Sequence, residues 1–196
     1  MRLHTIYAAI TVMLLATLAP CWATAPVGGE AGSGWDPLWE TLREMGVPEE
    51  AVEVAMDFAY LPFEEAREKY ELLAFKLFHP NMTHEELLKK VAKYKDDRPL
   101  PPNARRGVSW SVAGERVGDM IRFWLVTRTE GCNLIHLSWL EFNATEIELE
   151  RRDPRPSGKP IKGRSLITFI VDLELCEVRR HRWGSEMEEI IYASSP

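Results

Sequence analysis

Cysteine is scarce here: three residues in a chain of 196. That count excludes a small scaffold stapled by many disulfides. Basic charge is also in deficit, with 24 Lys and Arg against 30 Asp and Glu and a formal net charge of −6. A nucleic-acid binder normally carries a basic excess, so no nucleic-acid partner is expected. The common catalytic signatures are missing as well. There is no Gly-x-Ser-x-Gly elbow, no phosphate-binding lysine loop, no Gly-x-Gly-x-x-Gly and no His-Glu-x-x-His. On that basis no catalytic residue, cofactor or metal is assigned. Long apolar runs are absent apart from one at the start, Ile6 to Ala19. It is shorter than the ~20 residues that cross a bilayer, so no membrane span is expected.

That single run belongs to a leader. Arg2 gives the positive start, the apolar stretch follows, and small residues flank a cut. Cutting after Ala25 satisfies the Ala-x-Ala rule but leaves Pro26 first, which distorts the scissile backbone. Cutting after Ala23 avoids this, so residues 1–23 are expected to be a signal peptide. A lipidated Cys21 is disfavoured by Pro20 beside it. The expected protein is secreted and extracellular. The cut removes Cys21 and leaves Cys132 and Cys176, an even pair in an oxidising compartment, which are expected to form one disulfide. Two glycosylation sequons, Asn81-Met82-Thr83 and Asn143-Ala144-Thr145, fit the same compartment.

Residues 24–34 read as a flexible lead-in, and 35–196 as one domain in two halves with different periods. In 35–95 the apolar residues recur at helical spacing. Trp35, Leu38, Trp39, Leu42 and Met45 form one stripe, closed by Gly46. Pro48, Glu49 and Glu50 start a second helix, Pro62 opens a third, and Thr83 with Glu86 makes a capping box for a fourth. Residues 96–107 are a proline-rich connector. From 108 to 196 the period drops to two. Strands are expected around Trp110–Val112, Ile121–Thr127, Leu134–Phe142, Ile147–Leu149 and Leu166–Val178. Helices followed by strands, without βαβ alternation, predict an α+β fold: three to four short helices packed on an antiparallel sheet of about five strands.

A few residues invite a chemical reading. Arg179, Arg180 and Arg182 with Trp183 form the densest positive stretch and are candidates for binding an acidic partner or an anion. His136 lies within an apolar strand, where a base would be buried. His79 and His84 are five apart but separated by Pro80. Glu146, Glu148 and Glu150 share one strand face and would repel one another, which suits a wet surface better than a pair of catalytic acids. Six tryptophans remain after the leader is removed, enough for some to line a surface as well as a core.

Taken together, these features predict a secreted, glycosylated, non-catalytic binding protein that engages an extracellular protein partner. The alternatives are a carrier of small apolar ligands and a secreted hydrolase with scattered catalytic residues, His136 among them.

Overall fold

The computed structural model describes residues 35–97, 105–145, 163–182, 184–185 and 187–194. Four helices come first: α1 (Asp36–Glu44), α2 (Glu49–Tyr60), α3 (Phe63–Phe78) and α4 (His84–Asp97). Six strands follow: β1 (Gly107–Val117), β2 (Met120–Thr129), β3 (Leu134–Asn143), β4 (Gly163–Asp172), β5 (Glu177–Arg182) and β6 (Glu188–Ala193). The α+β class and the order of the two halves match the expectation. The leader, the lead-in, residues 98–104 of the connector and the expected strand around Ile147 lie outside the described residues.

The helix boundaries follow local chemistry. α1 buries Leu38, Trp39 and Leu42 and ends where Gly46 takes φ 84°. The Val47 N–H reaches the Leu42 carbonyl at 3.0 Å and the Gly46 N–H reaches Arg43 at 2.9 Å, closing the last turn. A side chain at Gly46 would have to adopt the left-handed region at a cost of about 1 kcal/mol. Arg43 then grips Glu49 with two bonds of 2.7 and 2.8 Å, fixing the corner between α1 and α2. At α4 the capping box forms as its sequence demands. Glu86 Oε2 accepts from the Thr83 N–H at 2.8 Å, and Thr83 Oγ1 accepts from the Glu86 N–H at 3.3 Å.

All six strands pair in sequence order as one antiparallel meander. Side chains alternate between its two faces. Val108, Trp110, Trp124, Val126, Ile135, Leu137, Phe169, Val171 and Val178 face the helices and join Leu38, Trp39, Val52, Phe58 and Tyr70 in the main core. Here α2 lies over β1, β2 and β3, α3 lies along β1, and α1 meets β6. A smaller apolar cluster, Ile121, Phe123, Leu125, Phe142 and Ala144, occupies the other face. Within it the Phe142 ring presses on Gly163, where an added Cβ would fall 2.1 Å from the ring.

Among the described residues the strands number six where about five were expected, and the difference is local. The stretch 166–178 is two strands with a turn between them. Asp172 ends β4 because its Oδ1 accepts from the N–H groups of Glu174 and Leu175 at 3.0 and 3.1 Å. Cys176 completes the turn at φ 48°. No glycine or proline marks this turn, and Leu173 and Leu175 mimic a continuing strand. β6 carries Ile190 and Ile191 behind a Glu-Glu start and had no period long enough to register.

Two polar side chains bind the layers together. Tyr70 donates to Asp57 Oδ2 at 2.6 Å while its ring meets Phe58 and Trp110. Burial, then the bond to Asp57, pushes its phenol well above the ordinary range. Arg128 of β2 reaches up to the C-terminus of α2, donating to the Phe58 carbonyl and to Leu61 at 3.2 Å. Those carbonyls are the negative end of the helix dipole. Arg128→Met would leave them unmet in a half-buried place. We expect a loss of about 2–3 kcal/mol in urea unfolding, and a Tm lower by roughly 4–12 °C.

Candidate functional site

Across the helix-side face, the strands place one row of charge beside one row of aromatic surface. Register sets Arg122 opposite both Glu115 and Glu141, and Glu141 opposite Arg164. The row therefore runs Glu115, Arg122, Glu141, Arg164 over four strands with alternating sign. Arg122 Nε donates to Glu141 Oε2 at 2.7 Å, and Arg164 donates to Oε1 at 2.6 and 2.8 Å. Only 3% of Glu141 is exposed, because two guanidinium groups cover it. Bonding from Arg122, then from Arg164, holds its carboxyl below the usual range against the opposing effect of burial.

The adjoining row is Val112, Trp124, Trp139, Ile167 and Arg182. Trp124 is buried and stacks on Phe169, with Trp139 tilted against it at 5.5 Å. Trp139 and Ile167 are half-buried, while Arg164 and Arg182 are exposed. Among the described residues Arg182 makes no ion pair within 4 Å. The result is a strip of sheet in which half-buried Trp139 and Ile167 lead to the exposed Arg182, with the exposed Arg164 in the adjoining row. Next to it opens a cleft of about 340 Å³ lined by Arg180, Arg182, Ser185, Met187, Glu188 and Glu189.

The arginine run 179–182 is not one positive patch. Strand alternation sends Arg180 and Arg182 to the helix side and Arg179 to the opposite face. Arg179 meets Glu188 at 2.9 Å, Glu177 at 3.3 Å and Asp172 at 3.5 Å. Arg180 binds Glu189 and touches Met45 Sδ at 3.7 Å. Of the three arginines, Arg182 is the one without an ion pair within 4 Å among the described residues, and Trp183 lies outside them.

His136 sits on the face away from the helices, between Thr127 and Ile170. Burial, then the nearby Arg179, lowers its pKa, and Glu188 opposes them weakly. Glu188 is itself held by Arg179, and among the described residues no carboxylate is hydrogen-bonded to the imidazole as an acid–base pair would require. His181 Nε2 donates to the Ser185 carbonyl at 2.8 Å and fastens the β5–β6 turn. His79 closes α3 and His84 opens α4. Among the described residues no group of three or more His, Cys, Asp and Glu is placed to hold a metal ion, and no helix is long and apolar enough to cross a membrane.

Cys132 lies in the β2–β3 turn and Cys176 in the β4–β5 turn. The structure does not join them. The two turns are neighbours all the same: the Leu173 N–H reaches the Asn133 carbonyl at 2.8 Å, and Asn133 Nδ2 reaches Glu174 at 3.1 Å. Asn81 is exposed in the α3–α4 turn, whereas Asn143 is half-buried at the end of β3. Glu146, Glu148 and Glu150 lie outside the described residues.

The Glu115–Arg164 row and its tryptophan neighbour escaped the sequence reading. Their members are up to 49 positions apart, and only strand register brings them together. Comparison of the chain with protein-family models, curated proteins and solved structures finds no match in any of the three.

The Glu141 arrangement has a pH signature. Its folded pKa lies below the unfolded value, so its contribution is complete above about pH 4.5 and fades as pH falls through the carboxylate range. We expect Glu141→Gln to be less stable than the parent at pH 7. In urea unfolding at successive pH values, the gap should narrow towards pH 3.

Proposed function

We propose that this protein is an exported, non-catalytic binding protein that engages an extracellular protein partner through the helix-side strip of its sheet. The observation that carries the reading is the half-buried Trp139 and Ile167, in a row that ends at the exposed Arg182 and runs beside the row that ends at the exposed Arg164. Tryptophan and arginine are the residues most enriched at the energetic centres of protein interfaces. Here the strip is rigid: Trp139 leans on the buried Trp124, and Arg164 is anchored on Glu141. A surface already in its bound shape loses little entropy on docking.

Fully buried side chains, Leu38, Trp39, Phe58, Leu137 and Phe169 among them, fill the space between helices and sheet. That packing weighs against a carrier whose cargo would sit there. The uncoupled His136 weighs against the hydrolase.

Export also bears on the two cysteines. In an oxidising compartment the neighbouring turns would link Cys132 to Cys176, worth about 3–4 kcal/mol in the chain-entropy model for a loop of about 45 residues. A non-reducing peptide map of secreted protein should show the linked peptides, and the double serine variant should unfold at correspondingly lower urea.

The binding reading is tested with labelled, secreted protein added to cultured cells. Saturable binding is expected, with its loss after mild protease treatment of the cells. Trp139→Ala with Arg182→Glu should weaken it at least tenfold while leaving the circular dichroism spectrum unchanged. Binding that ignores these substitutions, or survives protease, removes the strip as the protein-docking surface.

A further inference from the structure

α3 and α4 form a hairpin whose far end stands away from the sheet, since α3 meets β1 and α4 packs on α3. Its two halves differ. Near the sheet α3 buries Ala66 and Tyr70. In its last turn Leu77 and Phe78 are 41% and 43% exposed, and Leu88 of α4 is 37% exposed. Exposed apolar groups gathered at one end of an element normally have a cover. Asn81 stands in the turn itself, exposed, three residues after Phe78 and four after Leu77.

The second sequon has different surroundings. Asn143 closes β3 opposite Met120, and its Oδ1 accepts from the Thr145 N–H at 2.9 Å. The middle residue, Ala144, is 1% exposed, and its N–H is bonded to the Asp119 carbonyl at 2.8 Å. A bulky group on Asn143 would have to leave from this tied and half-buried place.

We infer that Asn81 is the glycosylated asparagine of this chain, that Asn143 is not, and that the glycan on Asn81 shields the apolar end of the α3–α4 hairpin. This rests on the export reading, because the donor, a lipid-diphosphate-linked oligosaccharide, is met only on that route. Asn81 Nδ2 forms a bond to the anomeric carbon of the first sugar. The bond from that carbon to phosphate breaks, the lipid diphosphate leaves, and the amide proton passes to solvent. The product is neutral, bulky and strongly hydrated, and it begins three residues along the chain from Phe78 and four from Leu77.

The test uses full-length protein secreted from a eukaryotic cell line. Peptide mass mapping should find glycan on Asn81 and a bare Asn143. Asn81→Gln should lose the whole mass step removed by an amidase that cleaves N-glycans, and Asn143→Gln should lose none. Amidase treatment of the folded protein should raise binding of a hydrophobic dye severalfold, and Leu77→Lys with Phe78→Lys should abolish that rise. Glycan on Asn143, a bare Asn81 in secreted protein, or dye binding indifferent to deglycosylation overturns the inference and leaves export standing. Full-length chain retained in the cytosol with both sites bare overturns the inference and the export reading together.

Discussion

A guanidinium group joins the two halves of this molecule. Arg128 projects from the end of β2 into the C-terminal carbonyls of α2, between the end of that helix and the start of α3. The apolar core alone would let the helical layer slide, because hydrophobic contact is not directional. A charge aimed at two named carbonyls is directional. It sets where α2 stops relative to β2, and therefore where Phe58 enters the core and where Tyr70 of α3 finds Asp57. Burial weakens the hold of Arg128 on its proton, but guanidinium starts so high that it remains charged.

With α2 over β1, β2 and β3, α3 along β1 and α1 against β6, the end of the sheet that carries Trp139 and Arg164 stays less covered. β4 reaches beyond them, and the buried row passes into Trp139, Ile167 and Arg182, then into the charged row ending at Arg164. Glu141 is central to this passage. It is 3% exposed, which would be costly for a lone carboxylate. Arg122 and Arg164 satisfy both of its oxygens, so each arginine is held in place rather than left to wave in solvent.

Much of the fold was legible in the sequence. Each helix announced itself by a 3.6-residue stripe and a local stop or start: Gly46, Pro48, Pro62 and the Thr83–Glu86 box. Those signals act within four residues, so sequence distance and physical distance agree. β1, β2 and β3 showed their period of two for the same reason. The turn at 173–176 did not show, because Asp172 makes it with a side chain rather than with glycine or proline, and because Leu173 and Leu175 keep the apolar rhythm going. The strip was illegible for a deeper reason. It is assembled from positions 115, 122, 139, 141, 164, 167 and 182, and no local pattern encodes which strand lies beside which.

The arginine run shows how that blindness misleads. Three arginines within four residues look like a docking patch when written in a line. Folded into a strand, consecutive residues point in opposite directions, and the cross-strand partners decide what remains. Arg179 meets three carboxylates on one face, and Arg180 meets Glu189 on the other. Cross-strand pairs of opposite sign stabilise a sheet, so most of the charge is consumed as structure. Across β4 Arg182 faces Ile167, an apolar residue, and among the described residues it has no ion pair within 4 Å. An arginine with no ion pair among the described residues, in one row with a supported tryptophan, is a stronger recognition element than the two paired ones, since its charge is less consumed by the sheet.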